Sequence, residues 1–270
     1  MEAIALVDGE RMPLAAARMS MTDDGVARGD GAFETIGVWG GRAFRLDDHL
    51  ARLTSSLRAV GLPDADLEQL ETEADSLLDG VTDDGALRIY VTASGTRVLT
   101  LSEPPQRSEP SHLDPQPAPW IRPQGSYGPA GAKTMSYLPN MAATRAAQRN
   151  GADDALLVSL EGWVLEGPTF AVGWAIGEQL FVAPLSLGIV DSISRKTVLE
   201  LAAVAGIPVS EEPRPLEHLF AADEVMISSA VRPLLAIHRV GDQTYEGPTP
   251  VRDRLAPALD QVRREASTRR

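Results

Sequence analysis

The stretch Lys133-Thr134-Met135-Ser136-Tyr137-Leu138 marks the start of a second lobe, because it follows a long connection rich in proline and glycine. Proline has no backbone N–H to donate to a neighbouring strand, so such stretches favour sheet edges and linkers. We predict a mixed α/β (α+β) fold with three parts: a small N-terminal domain over residues 1–122, an interdomain loop over 123–130, and a larger C-terminal domain over 131–270.

Hydrophobic patterns predict the elements of the first lobe. Apolar runs indicate strands at 3–7, 32–39 and 86–92, and Gly40-Gly41 is a hairpin signal. Asp47 then stands where it can cap a helix, whose apolar stripe is Leu50, Leu53 and Leu57. A second helix is predicted at 64–78.

The second lobe reads as alternating strands and helices. Helices are predicted at 139–150, at 191–206 and at the C-terminus. Strands are predicted at 155–158, 163–166, 172–176, 180–182 and 225–228.

Composition excludes several classes of partner and chemistry. The formal net charge of −13 disfavours nucleic acid and anionic membrane surfaces as partners. The chain has no cysteine, which excludes disulfides, thiolate zinc sites and a cysteine nucleophile, and we predict no metal site. The first ten residues do not read as a signal peptide, and no apolar run is long enough to span a bilayer. We expect a cytoplasmic protein.

Lysine usage indicates one candidate reactive amine. Of 25 basic residues only Lys133 and Lys196 are lysine. Arginine cannot form a Schiff base and stays charged in proteins. Lysine can become neutral when its surroundings lower its pKa, and it can then form a Schiff base. Lys196 follows Arg195 on a predicted helix, and we interpret it as a solvated charge. Position alone leaves open whether Lys133 is catalytic.

Two further segments are candidates for ligand binding. In the loop that leads to Arg195, the N–H groups of Ile193 and Ser194 begin a helix, and such a terminus binds phosphate. A simple helix cap by Asp191 or Ser192 explains the same residues. Glu166 ends an apolar strand, either as a solvated turn residue or as a partly buried carboxylate with a positive partner.

Five segments together resemble fold-type IV pyridoxal-5'-phosphate (PLP) enzymes, the class-IV aminotransferase family. This family includes branched-chain and D-amino-acid aminotransferases and aminodeoxychorismate lyase. The segments occur in the family's order and are Arg28-Gly29-Asp30-Gly31-Ala32-Phe33-Glu34-Thr35, Phe44-Arg45-Leu46-Asp47-Asp48-His49-Leu50-Ala51-Arg52-Leu53, Lys133 to Leu138, Leu165-Glu166-Gly167, and Gly188-Ile189-Val190-Asp191-Ser192-Ile193-Ser194-Arg195.

The resemblance implies a PLP cofactor, a small amino-acid-like substrate and a homodimer. It also implies an N-terminal α/β sandwich lobe and a C-terminal pseudo-barrel lobe. Lys133 resembles the Schiff-base lysine, Glu166 the carboxylate at the pyridine nitrogen, and Tyr137 the phenol near the 3'-oxygen. The phosphate ligands implied are Arg52, Ile193, Ser194 and Ser229. The implied substrate residues are Phe33, Arg88, Arg97 and Ala230.

Three positions depart from the family pattern. Ser136 and Ala171 stand where asparagine is usual or frequent, and Ser228-Ser229 replaces the common Gly-Thr. The serine changes retain a hydroxyl, whereas Ala171 removes a polar group.

Thr35 decides between the activities of the family. In lyases that resemble this chain a threonine lies here beside the cofactor, whereas branched-chain aminotransferases commonly carry glycine. Many of the latter also have an arginine at the position of Gly37. We therefore expect an aminodeoxychorismate lyase with Thr35 as a catalytic residue. Two alternatives are an aminotransferase for D-amino or branched-chain amino acids and a member that binds PLP without turnover. Thr35 also suits a strand simply as a β-branched residue.

Overall fold

The computed structural model describes residues 2–104, 111–121 and 129–268 and forms two compact units. Unit 1 comprises the described residues of Met1–Gln106, Ala132–Tyr137 and Val262–Arg270. Unit 2 comprises those of Arg107–Gly131 and Leu138–Gln261. Helices and several sheets alternate along the chain, and the predicted mixed α/β fold is confirmed.

Unit 1 is built on one antiparallel sheet of six strands, in the order β2-β1-β6-β5-β3-β4. Its elements are β1 (Ile4–Val7), β2 (Glu10–Pro13), α1 (Asp24–Arg28), β3 (Gly31–Trp39), β4 (Arg42–Ala43), α2 (Leu46–Ala59), α3 (Leu67–Leu78), β5 (Gly85–Thr92) and β6 (Arg97–Ser102).

Helices α2 and α3 cover one face of this sheet and bury its core. The predicted stripe of Leu50, Leu53 and Leu57 lies in that core, as expected from its spacing. Asp47 does not cap α2, because the helix begins one residue earlier, after Arg45 in a left-handed conformation. Asp47 lies in the first turn, where a carboxylate interacts favourably with the helix dipole.

Unit 2 contains a five-stranded sheet, β11-β10-β9-β12-β13, and a four-stranded sheet, β15-β14-β7-β8. Its elements are β7 (His112–Pro117), α4 (Leu138–Arg149), β8 (Asp154–Val158), β9 (Ala171–Ile176), β10 (Gln179–Val182), α5 (Ile193–Val204), β11 (Val209–Ser210), α6 (Leu216–Phe220), β12 (Glu224–Ser229), β13 (Arg232–Ile237), β14 (Arg239–Val240) and β15 (Gln243–Thr244). Helix α7 (Pro250–Thr268) begins in this unit and ends in unit 1.

The two units divide the chain differently from the sequence-based domains. Strand β7 belongs to unit 2, because it pairs in parallel with β8 from Leu113 to Pro117. Lys133 belongs to unit 1, because its backbone is hydrogen-bonded to Phe33. Of the predicted interdomain loop, residues 123–128 lie outside the described residues.

None of the helices in the described ranges combines the length and apolar composition that a membrane crossing requires.

Candidate active site

The segment Ala132–Tyr137 lies beside the first half of β3 in unit 1. Ala32 and Thr134 form an antiparallel bridge. The Phe33 N–H donates to the Lys133 carbonyl oxygen at 3.1 Å. Residues opposite each other in such a ladder project from the same face. Accordingly, Lys133 Nζ lies 4.2 Å from the centroid of the Phe33 ring, and this half-buried amine is held against an aromatic face.

Phe33 begins a row of predicted site residues on that face of the sheet. Its ring stacks on Tyr90, with 5.7 Å between centroids, and Tyr137 meets it edge-on at 5.2 Å. Two residues along β3, Thr35 lies directly opposite Arg88 of β5. Alternation along a strand places Thr35 and Arg88 on the same face as Phe33 and Tyr90.

Arg88 and Thr35 are available to a ligand on this face. Both side chains are half-buried, and neither makes a hydrogen bond or ion pair within the described part of the chain. Burial raises the pKa of the neighbouring Tyr90, against the opposing effect of the Arg88 charge, so its phenol is neutral at pH 7. The row therefore offers one uncompensated positive charge and one free hydroxyl near the lysine amine.

The opposite face of β3 holds a buried ionic cluster. Glu34 is fully buried, and it accepts hydrogen bonds from Arg52 Nε at 2.8 Å and Arg52 Nη2 at 2.6 Å. Burial alone would raise the pKa of Glu34, but the Arg52 charge and hydrogen bonds from Arg52 and His49 lower it to about 2. Burial lowers the pKa of His49, so its ring is neutral and Nδ1–H donates to Glu34 at 2.7 Å.

In unit 2, Glu166 lies against the loop that leads into α5. Its side chain is 9% exposed, and Oε1 accepts the N–H of Val190 at 3.2 Å. The Glu166 carbonyl accepts the N–H of Leu157 at 2.8 Å. Of the strand predicted at 163–166, the structure has only isolated bridges at Trp163 and Val164. The carboxylate is therefore largely buried rather than a solvated turn residue.

Helix α5 begins three residues after Val190. Ser192 caps it, as its Oγ accepts the N–H of Arg195 at 3.3 Å. The N–H groups of Ile193 and Ser194 make no hydrogen bond within the described ranges, as is usual for a first helical turn. Ser192 bonds the Arg195 N–H and not those of Ile193 or Ser194. The helix cap therefore leaves these two N–H groups available to bind an anion.

Ser229 and Ala230 lie at the tip of the β12–β13 hairpin. Ser229 pairs with Arg232 across a register shift that follows Ile227, which is a local irregularity in the ladder. Of the departures from the family pattern, Ala171 lies directly opposite Ser228 in the β9–β12 ladder. The two small residues line a cavity of about 20 Å³, which is room for about one water molecule.

Arg97 does not join the other predicted substrate residues. It lies opposite Val91, which belongs to the helix-covered core, and therefore on the face away from Phe33. Arg97 Nη2 donates to Glu73 of α3 at 3.0 Å, and Nη1 lies 4.0 Å from Asp8. Because Arg97 lies on the face away from Phe33 and Arg88, we leave it out of the proposed substrate residues.

Sequence reasoning missed Glu34 as the partner of Arg52. The alternation of side chains along a strand could have revealed it. Glu34 is two residues from Ala32 and from Ile36 and so lies on the same face, and both of these are fully buried against the helices. A carboxylate at a core position requires a cationic or hydrogen-bonding partner. His49 and Arg52 are three residues apart on helix α2, so both can face the same carboxylate.

Comparison with known proteins identifies the family. The family model for amino-transferase class IV matches residues 31–240. The chain belongs to this family. It is therefore a PLP-dependent enzyme, as class-IV aminotransferases are.

Several relatives are similar over nearly their whole length. The bifunctional aminodeoxychorismate lyase / D-amino acid transaminase of Mycobacterium tuberculosis is 28% identical over 95% of this chain and 97% of its own. The D-alanine aminotransferase of Bacillus licheniformis is 26% identical, over 91% of each chain. A PLP-bound hypothetical aminotransferase from Mycobacterium tuberculosis superposes with a TM-score of 0.84, at 28% identity over 96% of this chain and 98% of that one.

Each unit, taken by itself, offers chemical groups of kinds that bind PLP. Unit 1 offers a half-buried lysine amine against aromatic rings, and unit 2 offers two helix-terminal amides and a largely buried carboxylate. An amine, anion-binding amides and a carboxylate match the aldehyde, phosphate and pyridine nitrogen of PLP.

Proposed function

We propose that this enzyme is an aminodeoxychorismate lyase, which converts 4-amino-4-deoxychorismate into 4-aminobenzoate and pyruvate. The observation that carries the proposal is the Thr35 hydroxyl, which lies opposite Arg88 on the face that bears Lys133. This hydroxyl has no partner within the described residues, so it is available to a reacting group.

Each residue of the proposed site has a distinct role. PLP supplies a protonated ring that draws electrons away from the substrate α-carbon. Lys133 bonds to PLP through Nζ and moves the proton at the α-carbon, while Glu166 keeps the pyridine nitrogen protonated. Tyr137 would lie near the 3'-oxygen, and Thr35 would pass a proton to the enolpyruvyl group as it leaves as pyruvate.

The remaining roles in the proposal concern binding. Arg88 pairs with a substrate carboxylate beside Phe33, since its guanidinium is half-buried without an ion partner in the described ranges. Arg52, the Ile193 and Ser194 amides and Ser229 bind the PLP phosphate. Ala230 contacts the substrate from the β12–β13 turn. The proposal also includes a homodimer that works in the cytoplasm, which the family resemblance and the cysteine-free chain support.

A D-amino-acid aminotransferase is the second candidate. It is favoured by the name of the Mycobacterium tuberculosis relative, which combines both activities. Relatives named as branched-chain aminotransferases also match, but Thr35 and Gly37 argue against that activity here.

Product formation tests the lyase proposal. The enzyme with PLP and 4-amino-4-deoxychorismate is expected to release 4-aminobenzoate and pyruvate in equal amounts. Thr35→Val keeps the shape of the side chain but removes the hydroxyl, and it should slow this release about 100-fold, a usual size for one proton-transfer group. Absence of product, with ready conversion of bound PLP to pyridoxamine phosphate by D-alanine or L-leucine, would refute the lyase proposal and support an aminotransferase.

The phosphate role of Arg52 makes a separate prediction. Arg52→Ala should weaken PLP affinity by about 2 kcal/mol, or about 30-fold, because a desolvated charge pair is lost. Titration of the apoenzyme with PLP measures this change. Arg58→Ala is the matched control, since Arg58 lies on the same helix but pairs with Asp64 in solvent.

Arg52→Ala also leaves Glu34 buried without its main cationic partner, which destabilises a fold. The double variant Glu34→Gln/Arg52→Ala removes that buried charge and should still bind PLP weakly. If both variants bound PLP as the wild type does, the phosphate would have to bind elsewhere.

A further inference from the structure

Ser56 differs from the other hydroxyl residues of helix α2. Thr54 and Ser55 donate their hydroxyl hydrogens to the carbonyl oxygens of Leu50 and Ala51, at 3.1 and 3.0 Å, which is the usual bond back along a helix. Ser56 makes no such bond within the described residues. Its Oγ instead accepts the backbone N–H of Lys133 at 3.0 Å, and its side chain is only 2% exposed.

With this hydrogen bond, both the N–H and the carbonyl oxygen of Lys133 have partners. The carbonyl oxygen of Lys133 accepts the N–H of Phe33 at 3.1 Å, and Met135 N–H donates to Gly31 at 2.9 Å. Those two bonds hold the carbonyl side of the lysine. The amide side points toward α2, where Ser56 is its acceptor.

Ser56 belongs to a helix that is itself firmly fixed. Arg52 and Ser56 are four residues apart and therefore lie on one face of α2. On that face, Arg52 is bound to the buried Glu34 of β3 by two hydrogen bonds. The Ser56 oxygen is therefore held at a defined position relative to β3, and through it so is the Lys133 amide.

We propose that Ser56 is a positioning residue, whose side-chain oxygen fixes the backbone from which the Lys133 amine reaches the reacting atoms. The inference rests on the proposed role of Lys133 as the PLP-bearing lysine. A lysine has four side-chain bonds that rotate, so its Cα must be held still for the amine to return to one place. Misplacement of such a group by about 1 Å can cost about 100-fold in rate.

Hydrogen exchange of the apoenzyme tests the anchoring itself, without PLP or turnover. In Ser56→Ala the amides of residues 132–137 should exchange about tenfold faster than in the wild type, because the Lys133 N–H loses its acceptor. Ser55→Ala is the matched control and should leave this segment unchanged. Unchanged exchange in Ser56→Ala would overturn the proposal.

Steady-state kinetics of the holoenzyme test the positioning. For Ser56→Ala, kcat should fall about tenfold while KM stays nearly constant, and Ser56→Thr, which keeps an acceptor oxygen, should recover most of the rate. If Ser56→Ala lowers the melting temperature strongly, Ser56→Cys replaces it as a variant of similar shape with a weaker acceptor.

The two measurements separate the possible failures. Faster exchange with an unchanged kcat would mean that the bond only supports the fold, and it would overturn the positioning role. Faster exchange in an enzyme that acts on neither 4-amino-4-deoxychorismate nor amino acids would refute the proposed function but not the anchoring of Lys133 by Ser56.

Discussion

Lys133→Ala is expected to abolish turnover, by at least about 10,000-fold, in a protein that remains folded and still binds PLP noncovalently. Both the bond to PLP and the proton transfer at the α-carbon need the lysine amine. Neither an alanine side chain nor an arginine side chain can replace it. The fold should survive, because Lys133 is tied to Phe33 and Ser56 through backbone atoms that alanine also has.

The second lysine provides the control for this variant. Lys196 lies on α5, and Lys196→Ala should retain most of the activity. Assays with 4-amino-4-deoxychorismate and with amino acid donors measure both variants. Turnover in Lys133→Ala comparable to the wild type would refute the assignment.

Glu166→Gln is expected to retain PLP but to lose about 100-fold or more in kcat, because the charge that keeps the pyridine nitrogen protonated is lost. The amide oxygen of glutamine can still accept the Val190 N–H, so the local structure should persist. Binding and turnover should therefore separate in PLP titrations and steady-state assays.

Glu161 offers a comparison for this substitution. It is an exposed glutamate in the preceding turn, and Glu161→Gln should leave kcat unchanged. Wild-type turnover in Glu166→Gln would mean that the buried carboxylate serves the fold and not the cofactor.

Local patterns predicted the elements more reliably than the contacts between them. The Leu50 stripe, the β3 strand and the helix after Ser192 follow from nearby residues, and the structure has all three. The bond between Ser56 and Lys133 joins residues 77 positions apart, so no local period could reveal it.

Arg97 and Glu34 show why a prediction also needs to assign each side chain of a strand to one face of the sheet. Once β3, β5 and β6 are paired in register, alternation assigns every side chain to a face. That assignment places Glu34 in the core and Arg97 away from Arg88. The sequence patterns predicted β3 and β5 but not β6, and Arg97 was grouped with the substrate residues through the family resemblance alone.

The central claim is that PLP is bound covalently to Lys133. Borohydride reduction followed by peptide mapping tests this claim most directly. The chain has only two lysines, so the reduced adduct can occupy one of two side chains. The proposal predicts that the phosphopyridoxyl group is found on the peptide that contains Lys133. Labelling of Lys196 instead, or of neither lysine, would contradict it.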